Sequence, residues 1–183
     1  MIRKIVVPVL AILSLAVSGC SSVQMHKTQL LEPPTEEEVV VTFIRPAVFF
    51  GDGITVEVWD EKTFIGSLKP GTLIQYKTTS GKHVFIGTAE NRAYAVGELQ
   101  SGKQYYLKAN IFPGVLTART ALGIVEPGDK RLDTWLKKLQ PVIAFEEDRK
   151  AVEVKEADSI NKAVDEYNAG NVTFSEITPY HAH

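Results

Sequence analysis

Ile54-Thr55-Val56-Glu57-Val58-Trp59 decides the fold class. Ile54, Val56 and Val58 alternate with Thr55, Glu57 and Trp59, the period-two pattern of a strand with one face in a core. The polar turn Asp60-Glu61-Lys62 follows, and Phe64 to Leu68 reads as the answering strand. Upstream, Val39 to Ile44 is rich in β-branched residues and stops at Arg45-Pro46. Downstream, Thr72 to Thr78, His83 to Thr88, Arg92 to Leu99, Gln104 to Phe112 and Leu116 to Ile124 repeat the texture, separated by Ser80-Gly81-Lys82, Glu90-Asn91 and Ser101-Gly102-Lys103. About eight short strands with regular turn signals predict a mainly β chain built as an antiparallel β-sandwich or barrel.

After Pro127 the period changes. Leu132, Trp135, Leu136 and Leu139 stand at i, i+3, i+4 and i+7, with Asp129 placed as an N-cap and Pro141 just beyond the end, so a short amphipathic helix is expected. A second helix is expected within Glu147 to Ala169, with Ala157, Ile160, Val164 and Tyr167 on one side and Gly170-Asn171 as its stop. Val172, Phe174 and Ile177 suit an added edge strand before a loose tail.

The amino terminus has a different texture. Arg3 and Lys4 precede an apolar run from Ile5 to Val17, closed by Ser18-Gly19, the layout of an export signal. The run falls short of the about 20 apolar residues a spanning helix needs. Val17-Ser18-Gly19-Cys20 resembles the bacterial lipobox. That resemblance implies cleavage before Cys20, a diacylglyceryl thioether on its sulfur and an acyl chain on the new amino terminus. Cys20 is the only cysteine among 183 residues, so no intrachain disulfide exists to occupy it. Two or more acyl chains give stable anchoring where one is marginal. Ser21 rather than aspartate follows the cysteine, which by resemblance to the enterobacterial sorting rule implies the outer membrane, periplasmic face. Ser21 to Glu38, with Pro33-Pro34 and Glu36-Glu37-Glu38, reads as a lipidated tether of about 25 Å root-mean-square span.

The expected organisation is therefore a signal peptide over 1–19, a tether over 20–38, a β-sandwich over 39–127 and a helical C-terminal extension over 128–183. Losing Arg3 and Lys4 with the leader leaves 18 basic residues against 22 acidic ones. With no basic run, the balance argues against nucleic acid as a partner.

Val56 to Lys62, then Phe64-Ile65-Gly66-Ser67-Leu68, Gly71 and Ser80-Gly81-Lys82-His83-Val84 resemble the PEGA-like β-sandwich pattern, and Leu99 to Leu107 extends the likeness. There a strand ends in a polar turn, a short hydrophobic-Gly-x-Leu strand answers it, and a Gly-Lys-His turn opens the next. The resemblance covers Thr42 to Glu126, points to uncharacterised bacterial lipoproteins, and transfers no catalytic residues.

Motifs for chemistry are sparse. Ser80-Gly81-Lys82 lacks the earlier glycine of a phosphate loop and reads as a hairpin turn. His83 is the one histidine inside the strand region, a packing or capping residue rather than a general base. His181 and His183 form too small a set for zinc, His26 lies in the tether, and no metal or cofactor is expected. Phe49-Phe50 before Gly51-Asp52-Gly53 suits a plug at one end of the core or a loop that grips a partner. Trp59 points opposite to Val56 and Val58, covered by the tail helices or exposed as a ligand platform with Tyr106. The chain is expected to be a non-enzymatic binding or assembly module, held to the membrane through lipid on Cys20 and facing an envelope protein. A cell-wall or polysaccharide-binding accessory is the alternative, and a hydrolase using His83 a distant third.

Overall fold

Val39–Arg45 (β2) is buried from end to end, as a near-continuous apolar run requires when both faces of a strand are covered. The computed structural model describes residues 23–48, 50–115 and 117–183. In it β2 lies inside a six-stranded sheet. Its neighbours are Thr72–Thr78 (β5), antiparallel, and Lys103–Phe112 (β8), parallel. Arg119–Ile124 (β9) closes one side of this sheet. The other side is extended by Gln140–Ile143 (β10), parallel to β5, and His26–Lys27 (β1), antiparallel to β10.

A second, five-stranded sheet is made by Val56–Asp60 (β3), Thr63–Leu68 (β4), Gly81–Thr88 (β6), Arg92–Leu99 (β7) and Phe174–Ile177 (β11), in the order β11-β7-β6-β3-β4. The inner faces of the two sheets share one core, with Val39, Val41, Phe43 and Leu107 from one and Val56, Val58, Phe85 and Ala95 from the other. Val56 and Val58 point inward and Trp59 outward, as the alternation of the founding stretch demands, with a bulge between Val58 and Trp59.

The fold is mainly β, but the sheets are mixed rather than antiparallel throughout. Three parallel pairings, β2 with β8, β10 with β5 and β11 with β7, join segments far apart in sequence. No hairpin signal marks such a pairing, because only antiparallel strands can be joined by a tight turn.

The carboxy-terminal third is more than a helical appendage, since it supplies a strand to each sheet. Its helices cover both outer faces. Leu132–Lys138 (α1) sets Leu132, Trp135 and Leu136 over Ile44, Leu73 and Tyr106. Asp129 acts one turn before this helix, its Oδ1 accepting from the Arg131 amide at 2.9 Å, while Arg131 itself stands at the N-cap. The expected second helix is two, Glu146–Lys155 (α2) and Ala157–Asn168 (α3), which meet at Glu156. They place Val152, Ile160 and Ala163 over Trp59, Phe64, Ile86 and Tyr94. Within α2, Val152 is buried while Val154 is exposed, so the two valines stand on opposite sides of the helix. Gly170 has φ 69°, the left-handed stop expected at a helix end.

The expected free tether lies on the domain from Val23 onward. Val23 is buried, Met25 packs against the core, and the Leu31 amide donates to Gln75 Oε1 at 2.6 Å. At the other end, the His183 amide donates to the Gln104 carbonyl at 2.9 Å, so the tail is docked rather than loose.

Gly97 tests how the tail strand is seated. A methyl group there would overlap the carbonyl oxygen and Cβ of Ile177, so β11 can lie beside β7 only because that position has no side chain. Gly97→Ala is expected to cost about 1–3 kcal/mol by overpacking, read by denaturant unfolding. Hydrogen exchange should rise selectively over residues 174–177.

Candidate functional site

A cleft of about 520 Å³ opens on the outer face of the five-stranded sheet beneath the α2–α3 joint. Strand register builds its floor. Glu57 on β3 stands opposite Ser67 of β4 and Thr88 of β6, which sets a carboxyl between two hydroxyls on one pleat. Thr88 Oγ1 approaches Glu57 Oε2 at 3.5 Å. Glu156 and Ser159 descend from the helices, and Thr55 and Glu90 complete the polar rim. Trp59, two residues beyond Glu57 on the same face, borders the cleft beneath Ile160.

Burial pushes the Glu57 carboxyl above the ordinary glutamate range, the Glu156 carboxylate adds to that, and Lys155 partly opposes it. A carboxyl at a cleft floor accepts hydrogen bonds when ionised and can also donate one when protonated. The surrounding hydroxyls can do the same, so the cleft suits a ligand rich in hydroxyl or amino groups. Glu57 and Glu156 were not paired by the sequence reading. The available signal was a glutamate sharing a strand face with a tryptophan that had to be covered.

Trp59 is 1% exposed and Tyr106 7%, so neither offers a ring face to a ligand. Trp59 is sealed by Phe64, at 4.8 Å in an edge-on arrangement, and by the α2 and α3 side chains. Tyr106 lies under α1 and His183, and its hydroxyl donates to Gln104 Oε1 at 2.6 Å. The stacking platform considered for these two residues is therefore absent. Covering by the tail helices, the other reading of Trp59, is what the structure shows. Tyr94 and Tyr105 likewise spend their hydroxyls on the Ala163 carbonyl and the Gln100 amide.

Phe50 is 43% exposed, and Val48, Phe112 and Val115 are exposed with it. Arg45 positions this apolar end. Its guanidinium is buried and donates to the carbonyls of Leu68 and Gly51, both at 2.8 Å. Gly51 in turn rests against Ile111, next to Phe112. Phe50 therefore does not plug the core. Val17, Ser18, Gly19, Cys20 and Phe49 lie outside the described residues.

His83 is held at both nitrogens. Nδ1 lies 2.7 Å from Asp60 Oδ2, Nε2 lies 3.0 Å from the Thr79 carbonyl, and the ring stacks on Phe85. Two acceptors on two nitrogens favour the doubly protonated ring. Burial works against that charge, but the Asp60 hydrogen bond and charge, with the Thr79 carbonyl, outweigh it and raise the pKa. The arrangement is a clamp between β3 and the β5–β6 turn, and it leaves no nitrogen to activate a nucleophile. His181 is spent on the Thr178 amide and His183 on the Val125 carbonyl. Among the described residues, no group of three His, Cys, Asp or Glu side chains is placed to hold a metal ion.

Comparison with protein-family models, curated proteins and solved structures finds no match to this chain. No described helix is long and apolar enough to cross a membrane.

The His83 clamp has a pH signature. A histidine whose folded pKa is raised contributes stability that is full below about pH 6.5 and is lost as pH rises through the folded value. His83→Gln should therefore destabilise more near pH 5.5 than near pH 9. Urea midpoints of the two proteins across that range check it. A constant difference would assign His83 to packing alone.

Proposed function

We propose that this chain is a lipid-anchored module of a bacterial envelope, standing on the periplasmic face of the outer membrane and acting by binding rather than catalysis. The lipobox Val17-Ser18-Gly19-Cys20 supports the anchor, because a lone cysteine directly after an export-type apolar run has lipidation as its chemical use. The body of the chain is a PEGA-like domain on this reading. Its support is turn chemistry, with positive φ at Glu61, Gly81 and Gly102, the positions where the pattern places its polar and glycine turns.

The apolar end of the core carries the binding reading. Val48, Phe50, Phe112 and Val115 are large and exposed, and Gly51 beside Phe50 approaches Ile111 beside Phe112, so the two segments meet at this end of the core, where exposed apolar side chains favour an interaction site. Recruitment of a partner strand at β9 is the poorer route. The free backbone of β9 is already occupied, since Asn91 bonds both the amide and carbonyl of Thr120 and Ser175 bonds the Leu122 carbonyl. An edge capped in this way is protected against strand addition. The partner is therefore an envelope protein that offers an apolar contact to the end loops. The cleft at Glu57 favours a second reading, an accessory that holds cell-wall glycan through hydrogen bonds rather than by stacking.

Two measurements test these readings. The mass of the mature amino-terminal peptide should show a diacylglyceryl-modified, acylated Cys20, and an unmodified cysteine sinks the anchor. Cross-linking in intact cells should then recover an envelope protein, with recovery falling about tenfold or more in a Phe50→Ser, Phe112→Ser variant, as loss of apolar hot-spot contacts would give. Retention on purified cell wall that survives those changes but is lost in Glu57→Gln would shift the assignment to glycan.

A further inference from the structure

A second cavity, about 490 Å³, lies where the chain first meets the domain. Val23, Met25 and Val142 form its apolar part, and Gln24, Ser67, Thr72 and Gln140 its polar part. Two lysines, Lys27 and Lys69, stand at its rim, and no carboxylate lines it. In a chain with an acidic excess, this is a local departure in sign. Neither lysine forms an ion pair among the described residues. Both are exposed, while Val23 and Val142 are buried, so charge sits at the mouth and hydrocarbon within.

The position of the cavity says what reaches it. Only Ser21 and Ser22 separate Cys20 from Val23. At no more than about 3.6 Å per residue, the Cα of Cys20 stays within about 11 Å of the Cα of Val23, and its sulfur within about 14 Å. A free tether of eighteen residues would have let the domain stand clear of the leaflet. Docking of Val23, Met25 and β1 removes that clearance and holds this cavity at the level of the headgroups.

We propose that the cavity between the 23–27 segment, the β4–β5 turn and β10 takes one anionic phospholipid of the anchoring leaflet. An acyl chain enters beside Met25, the partly exposed apolar side chain of the lining, with Val23 and Val142 at its floor, and the phosphate lies between Lys27 and Lys69. The proposal deepens the anchoring reading and rests on it for the approach to the leaflet. The domain is thereby fixed in orientation rather than swinging on its lipid, because a bound lipid beside a covalent one gives two points of attachment.

The mature chain, as cells deliver it, is placed in nanodiscs of phosphatidylcholine with or without phosphatidylglycerol. Amide exchange is followed over residues 23–28, 67–73 and 140–143. In parallel, the same chain in phosphatidylcholine discs receives dihexanoyl-phosphatidylglycerol below its micelle concentration, or glycerol phosphate. Exchange should slow in these three segments with phosphatidylglycerol and with its soluble analogue, but not with glycerol phosphate. Lys27→Gln and Lys69→Gln should each weaken the effect of the soluble lipid about fivefold. No protection, equal protection in phosphatidylcholine alone, protection by glycerol phosphate, or indifference to both lysine changes would each overturn the proposal. The amino-terminal peptide mass from the same samples separates the two readings. An unmodified Cys20 with protection by the soluble lipid removes the anchor and leaves the cavity, whereas an acylated Cys20 without protection removes the cavity and leaves the anchor.

Discussion

Everything else in the molecule is arranged to cover the two faces of one strand. Val39, Val41 and Phe43 of β2 lie in the core between the sheets, while Ile44 lies in the separate cluster beneath α1. Burying a side chain of this size contributes roughly 1.5–3 kcal/mol each, a gain available only if both faces find cover. The inner face needs the second sheet and the outer face needs a helix. A hairpin-built domain ending at Pro127 could supply the first but would leave Leu73, Tyr106 and Val125 open. The carboxy-terminal third is therefore part of the core's solution, and its strands β10 and β11 fix where its helices fall.

The same strand ends in a buried charge. Arg45 stays desolvated, with its pKa lowered by burial and supported by Asp52. Its guanidinium spends its donors on two carbonyls in different segments. Hydrogen bonds to a charged group are stronger than neutral ones, and removing one partner of such a set is costly. The loop carrying Phe50 and the strand end leading to Lys69 of the second cavity are thus both held by a single guanidinium.

Local chemistry was legible in the sequence and long-range pairing was not. The strands from Val39 to Leu99 and their turns follow from alternation and from Gly, Asp and Asn placement, because these act within a few residues. Trp59 was correctly read as needing a cover, since tail helices with apolar faces had to bury them somewhere. β1 was hidden because His26–Lys27 has no strand composition and exists only as the partner of β10. β10 was hidden because Pro141 reads as a helix stop; it is also a strand residue, facing Leu73 in a pairing only two residues long, where a missing donor is tolerated. The cleft needed the fold itself. Glu57 and Glu156 meet only when the helix joint lands on the sheet, and Asp60 and His83 meet only when β3 and β6 pair.

Arg45, His83 and Glu57 are set back from solvent to different degrees and differ in their partners. Arg45 donates to two carbonyls and His83 meets an acceptor at each nitrogen, so the position of each is explained by the structure it holds. That of Glu57 is not. Burial works against its ionisation, the Glu156 carboxylate adds to that more than Lys155 offsets it, and its hydroxyl neighbour is distant at 3.5 Å. An acid whose folded pKa is raised costs stability at pH values above that pKa, and a chain kept for folding alone gains nothing by holding glutamate there. A ligand that donates to Glu57 would relieve the cost, which makes the cleft a better candidate for selective binding than either buried ring. The Lys27–Lys69 cavity differs in kind, since exposed lysines cost the fold little and need only a nearby anionic surface to become useful. The first site is paid for in the folded protein, whereas the second asks almost nothing of the fold.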